Sequence, residues 1–198
     1  MSKYILAIST SPRVHGNTDL LVDEVIRGIN DADDKQKFDV EKLQLWGRNI
    51  ALCRHCDFCL AQGHCTIQDE MQQIYPKLIQ ADGLIFASPI YFMAACAQAK
   101  MFIDRCQMFW ARRYVLKQSL FDTPRGPRRA VFIACGGTGG KNVFDGAKIM
   151  MKWFLDSLEM EYAENLLFNK TDQKGAIKNH PTALNDACQL GQKIARQW

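Results

Sequence analysis

Four cysteines fall within thirteen residues, in the stretch CRHCDFCLAQGHC at 53–65: Cys53, Cys56, Cys59 and Cys65. Thiols this close have three outcomes: disulfides, a shared metal centre, or no partner at all. A [4Fe–4S] cube takes four thiolates, one per iron. The two-residue gaps let neighbouring cysteines reach adjacent corners from one tight loop, and the five-residue gap carrying Gly63 lets the chain turn to the last corner. Zinc also accepts four thiolates, though structural zinc usually takes two pairs separated by a longer loop. His55 and His64 stand in the same stretch, where they either replace a thiolate or face solvent. The bacterial ferredoxin run closes with a three-residue gap and a proline. Here the gap is five and Thr66 follows, so this is not an inserted ferredoxin.

Three further stretches carry ligand-binding residue types. STSPRVHGNT (9–18) groups hydroxyls at Ser9, Thr10, Ser11 and Thr18 with the Arg13 guanidinium and the Asn17 amide. That set suits a phosphate if a helix starts there, because a helix N-terminus adds free N–H groups and partial positive charge. The plainer reading is a capped helix start, with Asn17 or Thr18 as the cap. No GxGxxG and no GKS or GKT is present, which argues against dinucleotide and Walker loops. SPIYFMAA (88–95) places Tyr91 and Phe92 after Pro89 and Ile90, offering flat faces to a planar ring or to the core beneath. CGGTGGKNVF (135–144) has glycines at 136, 137, 139 and 140 around Thr138. Such a run lets backbone approach a ligand closely, or serves as a flexible turn.

These loops need a frame, and the apolar patterning supplies one. YILAIS (4–9), FDVEKLQL (38–45), DGLIFAS (82–88), RRAVFIAC (128–135) and MEYAENLLF (160–168) read as strands. Pro89 should end the third of them. Between them, apolar residues at helical spacing predict helices from Leu21 to Ile29, over 69–80, over 94–109 and over 148–158, with a closing helix over 182–197. Pro76 should kink or split the second helix. The alternation predicts an α/β fold: a doubly wound, five-stranded parallel sheet with helices on both faces, in one domain spanning 1–198. Open sheets of this kind bind ligands beyond the carboxyl ends of their strands. The loops after the first, third and fourth strands then meet on one edge. Phosphate donors, an aromatic ledge and a glycine wall together suit a phosphorylated planar cofactor, and FMN fits.

Hydrophobic content of 47% and charge of 23% are ordinary for a soluble domain, and a net charge of +4 does not argue for nucleic acid. No apolar stretch is long enough to span a membrane. Thr10, Ser11, Pro12 and Arg13 end the first apolar run too early for a signal-peptide core, so the expected location is the cytoplasm, where clustered thiols bind metal or do redox work. Cys96, Cys106, Cys135 and Cys188 read as buried small residues. Met71, Met93, Met101, Met108, Met150 and Met151 read as core, and Asp104–Arg105 as a local ion pair. Arg125, Arg128 and Arg129 read as a solvated loop, with an acidic partner such as a ferredoxin or a nicotinamide phosphate as the functional alternative.

SPRxxGNT after the first strand, DGxIFxSPIYF, the AKMFIDR helix and the GG-rich loop resemble the NADPH-dependent FMN reductases of the flavodoxin superfamily. The cysteine segment ahead of QDEM resembles that of the iron–sulfur flavoproteins, whose gaps are two, two and four to seven. The resemblance covers residues 4–168 and implies a flavodoxin-like fold. It implies that Ser11, Arg13, Asn17 and Thr18 hold the FMN phosphate. Pro89, Ile90, Tyr91 and Phe92 would line the isoalloxazine, with Gly136, Gly137 and Thr138 opposite. Cys53, Cys56, Cys59 and Cys65 would bind one [4Fe–4S] cluster, in a homodimer or homotetramer whose flavin and cluster approach across a subunit interface. Thr10 departs from the pattern, standing where the family has glycine. The expected activity is flavin-dependent electron transfer between NAD(P)H, or a one-electron carrier such as a ferredoxin, and a small acceptor. No catalytic acid or base is required; Tyr91 is the one candidate. The alternatives are a plain NAD(P)H-dependent FMN or quinone reductase without a cluster, and a non-catalytic thiol or metal sensor on the same scaffold.

Overall fold

The computed structural model describes residues 2–32 and 38–198. Five parallel strands form the sheet: β1 (Lys3–Ser9), β2 (Phe38–Gln44), β3 (Gly83–Tyr91), β5 (Arg129–Gly136) and β6 (Glu161–Phe168). A two-residue strand β4 (Ala94–Ala95) pairs antiparallel with the end of β3. The order is β2-β1-β3-β5-β6, so the chain reverses its direction of travel across the sheet between β1 and β3. A crevice opens at such a reversal, and the loops after β1 and β3 flank it.

Alternating side chains divide the core into two layers. Leu6, Ile8, Phe86 and Phe132 point to one face, beneath α3 (Met71–Gln80), α4 (Ala97–Arg105), α5 (Gln107–Trp110) and α6 (Asp145–Ser157). Ile5, Ala7, Ile85 and Ile133 point to the other, beneath α1 (Asn17–Asn30) and α7 (Ala183–Gln197). Helices α1 and α7 touch through glycines. A Cβ added at Gly28 would lie 2.1 Å from the Cys188 carbonyl oxygen, and one at Gly191 2.1 Å from that of Val25.

The predicted strands and the doubly wound, flavodoxin-like arrangement are present. Three local expectations need correction. Pro76 lies inside α3 without splitting it. Its ring faces solvent, so water can serve the carbonyl it frees, while Met71, Ile74, Tyr75 and Leu78 keep the helix on the core. Pro89 does not end β3, which continues to Tyr91 with Pro89 opposite Cys135. The helix expected over 94–109 is instead β4, α4 and α5, followed by a π-helical turn at Ala111–Val115.

Candidate functional site at the sheet edge and the cysteine loop

The loop after β1 is held by its own backbone. The Thr10 N–H and Oγ1 both donate to the Ala87 carbonyl at 2.9 Å, tying the end of β1 to β3. The Arg13 N–H donates to Ser11 Oγ at 3.1 Å, and Gln44 Nε2 donates to the Ser11 carbonyl at 2.7 Å. Helix α1 starts at Asn17 with Gly16 as its N-cap and no side-chain cap. Asn17 and Thr18 therefore lie inside the first turn and do not cap it as anticipated. The first N–H groups of a helix have no intrahelical partner. Here they border a cavity of about 60 Å³ lined by Ser11, Arg13, Gly16, Asn17 and Thr18, with Tyr91, Cys135, Gly137, Asp172 and Lys174. The Asn17 side chain is already committed: Nδ2 donates to the Thr171 and Gln173 carbonyls at 2.8 and 2.9 Å, and Oδ1 accepts from the Ile177 N–H. It braces the segment after β6, leaving its main chain to face the cavity. Burial pushes the Cys135 thiol up to about 11, with hydrogen bonds from Thr171 and Thr18 opposing the rise. A neutral thiol does not repel an anion. Arg13, Lys174 and the α1 terminus give this small cavity the donors a phosphate takes.

A second cavity, about 310 Å³, adjoins the first and shares Ile90, Tyr91, Gly137 and Asp172 with it. Phe92, Met93, Gly136, Thr138 and Val143 complete its lining. Tyr91 pairs with Ala94 across a two-residue turn, Phe92–Met93, whose φ angles are +50° and +61°. A hairpin turn of this length and hand is normally Asn-Gly. Bulky residues there cost backbone energy, and such strain gathers at functional sites. The turn presents Phe92 wholly to solvent and leaves Met93 half exposed, so Met93 is not core. Opposite, a Cβ at Gly137 would lie 3.1 Å from Asp172 Oδ1 and one at Gly136 2.8 Å from Val143 Cγ1. A side chain at Gly136 would displace Val143, and one at Gly137 would press on the Asp172 side chain. A planar apolar ring fits between the aromatic turn and this glycine wall.

The cysteine loop lies between β2 and α3, on the side of α4 and α5. A cavity of about 340 Å³ takes all four cysteines, with Phe58, Ile67, Asp104, Arg105, Met108 and Trp110 in its wall. Helix α2 (Phe58–Gln62) carries Cys59 and ends on Gly63 at φ +71°, which turns the chain toward Cys65. His55 and Asp57 also have positive φ, so the stretch from Cys53 to Cys59 is tightly coiled. All four thiols are free; Cys53 and Cys56 are exposed, Cys59 and Cys65 partly covered. Burial pushes the Cys59 thiol up, and the charges of Cys65, Cys53 and Cys56 add to the rise, so the four act on one another. Among the described residues, the cysteines form no trio whose ligand atoms all lie within 4.8 Å of one another. Four thiolates around one cavity are the donor set that a four-iron cube takes, one per iron, and that tetrahedral zinc also accepts.

Both ends of the loop are fixed by one buried ion pair that the sequence did not reveal. Arg105 is fully enclosed and pairs with Asp69 through both nitrogens of its fork. Its Nη1 also donates to the Ala51 carbonyl at 2.8 Å, and its Nη2 to Cys65 Sγ at 3.5 Å. Asp69 accepts from the Ala51 and Met71 N–H groups at 2.8 and 3.0 Å. Burial pushes the Asp69 carboxyl up, but the guanidinium and these two N–H groups outweigh it and hold it below the usual carboxylate range. Arg105 was expected to pair with Asp104. Asp104 pairs instead with Lys100, one helical turn away on the exposed face. Arg128 likewise is no solvated loop residue. It is buried, donates to the carbonyls of Leu78, Ala81 and Leu158, and burial with nearby Arg125 pushes it down to about 10. Arg125 is tied to Asp82, and Arg129 to Glu161. Cys96, Cys106 and Cys135 are buried as expected, whereas Cys188 is partly exposed. His55 and His64 face solvent.

Besides the Asp69–Arg105 pair, the segment 171–174 after β6 was missed. It was accessible in principle, because it follows a strand at the same carboxyl edge as the three loops that were read.

Comparison with known proteins agrees with this architecture. Residues 4–172 match the NADPH-dependent FMN reductase family. An iron-sulfur flavoprotein of Methanocaldococcus jannaschii is 38% identical over 101 residues, 51% of this chain and 50% of that protein. One of Methanosarcina thermophila is 30% identical over 116 residues, 59% of each. The chain spans about half the length of the curated relatives it matches. In fold it is similar to an NAD(P)H:quinone oxidoreductase from Methanothermobacter marburgensis, with a TM-score of 0.73, 14% identity, and 98% of this chain and 96% of that one covered. No described helix is long and apolar enough to cross a membrane. With the family match running from β1 to the segment beyond β6, the chain belongs to the NADPH-dependent FMN reductase family of flavin-dependent oxidoreductases.

Proposed function

We propose that this chain is an iron–sulfur flavoprotein that passes electrons between NAD(P)H, or a one-electron carrier such as a ferredoxin, and a small acceptor. One observation carries the reading. The sheet edge holds a phosphate-sized cavity joined to a ring-sized one, and the same chain gathers four free thiols around a cavity of their own. FMN would supply hydride acceptance and single-electron release, and a [4Fe–4S] cluster would supply one-electron storage.

The protein's share is binding and orientation. Ser11, Arg13 and the main-chain N–H groups of Asn17 and Thr18 would hold the phosphate, with Lys174 adding charge. Pro89, Ile90, Tyr91 and Phe92 would line one side of the ring, and Gly136, Gly137 and Thr138 the other. Cys53, Cys56, Cys59 and Cys65 would ligate the iron. At the ring edge the half-exposed Tyr91 hydroxyl and the Asp172 carboxylate are the side chains placed to act as an acid or base. The exposed Phe92, Met93 and Trp110 beside the cavities support a homo-oligomer in which a second copy covers them.

The test uses protein purified without oxygen. NADPH or NADH should bleach its bound flavin, and a quinone or one-electron acceptor should restore the colour. Transfer to the one-electron acceptor should fall at least tenfold in Cys53→Ser or Cys56→Ser while flavin bleaching persists. Equal turnover in those variants would reduce the reading to a plain reductase, and absence of bleaching with every donor would remove the enzyme.

A further inference from the structure

We propose that Arg105 is a positioning residue that raises the reduction potential of the centre held by the four cysteines. The inference rests on the cluster reading above. Arg105 has a fully enclosed side chain, its Nη2 stands 3.5 Å from Cys65 Sγ, and its Nε is buried with no hydrogen-bond partner. The same Nη2 also reaches Asp69 Oδ1 at 3.2 Å and the Ile67 carbonyl at 3.5 Å, while Nη1 serves the other Asp69 oxygen and the Ala51 carbonyl. The guanidinium is thus the member of the pair in contact with a cysteine sulfur, and the carboxylate also accepts from the Ala51 and Met71 N–H groups.

Reduction of the centre adds one electron and no counter-charge. A charge-assisted hydrogen bond to a ligating sulfur stabilises the more negative state, as do fixed positive charges in a water-poor wall. Asp69 carries the opposite charge, so the two members of one pair act on the centre with opposite signs.

That opposition separates an electrostatic role from a merely structural one. Arg105→Gln, Arg105→Lys and Asp69→Asn are made in the full chain and loaded with iron and sulfide without oxygen. Iron and sulfide are counted, and the midpoint potential is read by titration followed by electron paramagnetic resonance. Arg105→Gln should shift the reduction equilibrium at least tenfold toward the oxidised state, about 59 mV downward for one electron. Asp69→Asn should shift it upward, and Arg105→Lys should recover most of the loss. Loaded variants that match the native potential, or that both move downward, would overturn the inference and leave the cluster reading intact. Native protein that takes up no iron would overturn the cluster reading, and this inference with it.

Discussion

Replacing Asp69 with alanine should unfold the region around the cysteine loop at markedly lower denaturant, even with no metal present. The Asp69 side chain is 4% exposed and its partner Arg105 is 0% exposed. Removing one member of such a pair strands a buried charge, at a cost of about 3–5 kcal/mol. The Ala51 and Met71 N–H groups also lose their acceptor, each worth about 1–3 kcal/mol if they stay dry. Water entering the half-buried Ala51 end offsets most of the lost N–H bonds, which leaves about 4 kcal/mol, the middle of the range for a broken buried pair. With a urea slope of about 2 kcal/mol per molar, the unfolding midpoint should fall by about 2 M. The assay is urea unfolding of reduced, metal-free protein followed by circular dichroism. The pH dependence carries a sign. The folded-state pKa of Asp69 is lowered, so its stabilisation is present above the unfolded value of about 3.9 and is lost as pH falls through the folded value. The gap between native and variant should therefore be full at pH 7 and shrink below about pH 4. A midpoint shift under about 0.3 M at pH 7, less than about 1 kcal/mol on the same slope, would mean that the buried pair does not hold the loop.

Three other outcomes follow from the packing. Gly28→Val should lower stability by about 3 kcal/mol, seen in a thermal melt, because its Cβ would sit 2.1 Å from the Cys188 carbonyl and push α7 off α1. Met93→Gly should raise stability by about 1 kcal/mol in urea unfolding, since a left-handed backbone at +61° suits glycine, while weakening flavin binding if the turn packs on the ring. Iodoacetamide should label the exposed Cys53 and Cys56 within the native protein. Cys135, pushed up to about 11, and Cys106, raised further by burial, should label only after unfolding, as peptide mass mapping would show.

The layers of the fold were readable because both faces of β1, β3 and β5 are covered, which leaves near-continuous apolar runs. The three ligand-edge loops were readable for a related reason: parallel strands put the ends of alternate runs on one edge. What escaped was local and depended on the third dimension. An arginine beside an aspartate in sequence reads as an ion pair, yet on α4 Asp104 points out and Arg105 points in. Arg128 sits in a stretch punctuated by Pro and Gly, and nothing in that composition says that three carbonyls converge on it. Pro76 and Pro89 both break rules of local propensity, one excused by a solvent-facing ring and one by a crevice at the sheet edge. The Phe92–Met93 turn has no sequence signature, since its backbone belongs to Asn-Gly.

Whether the four cysteines of the loop hold a cluster beside the flavin is read from a native mass spectrum of protein purified without oxygen. The expected mass increment is one FMN plus four irons and four sulfides per chain. FMN alone on a chain with all four thiols intact would contradict it.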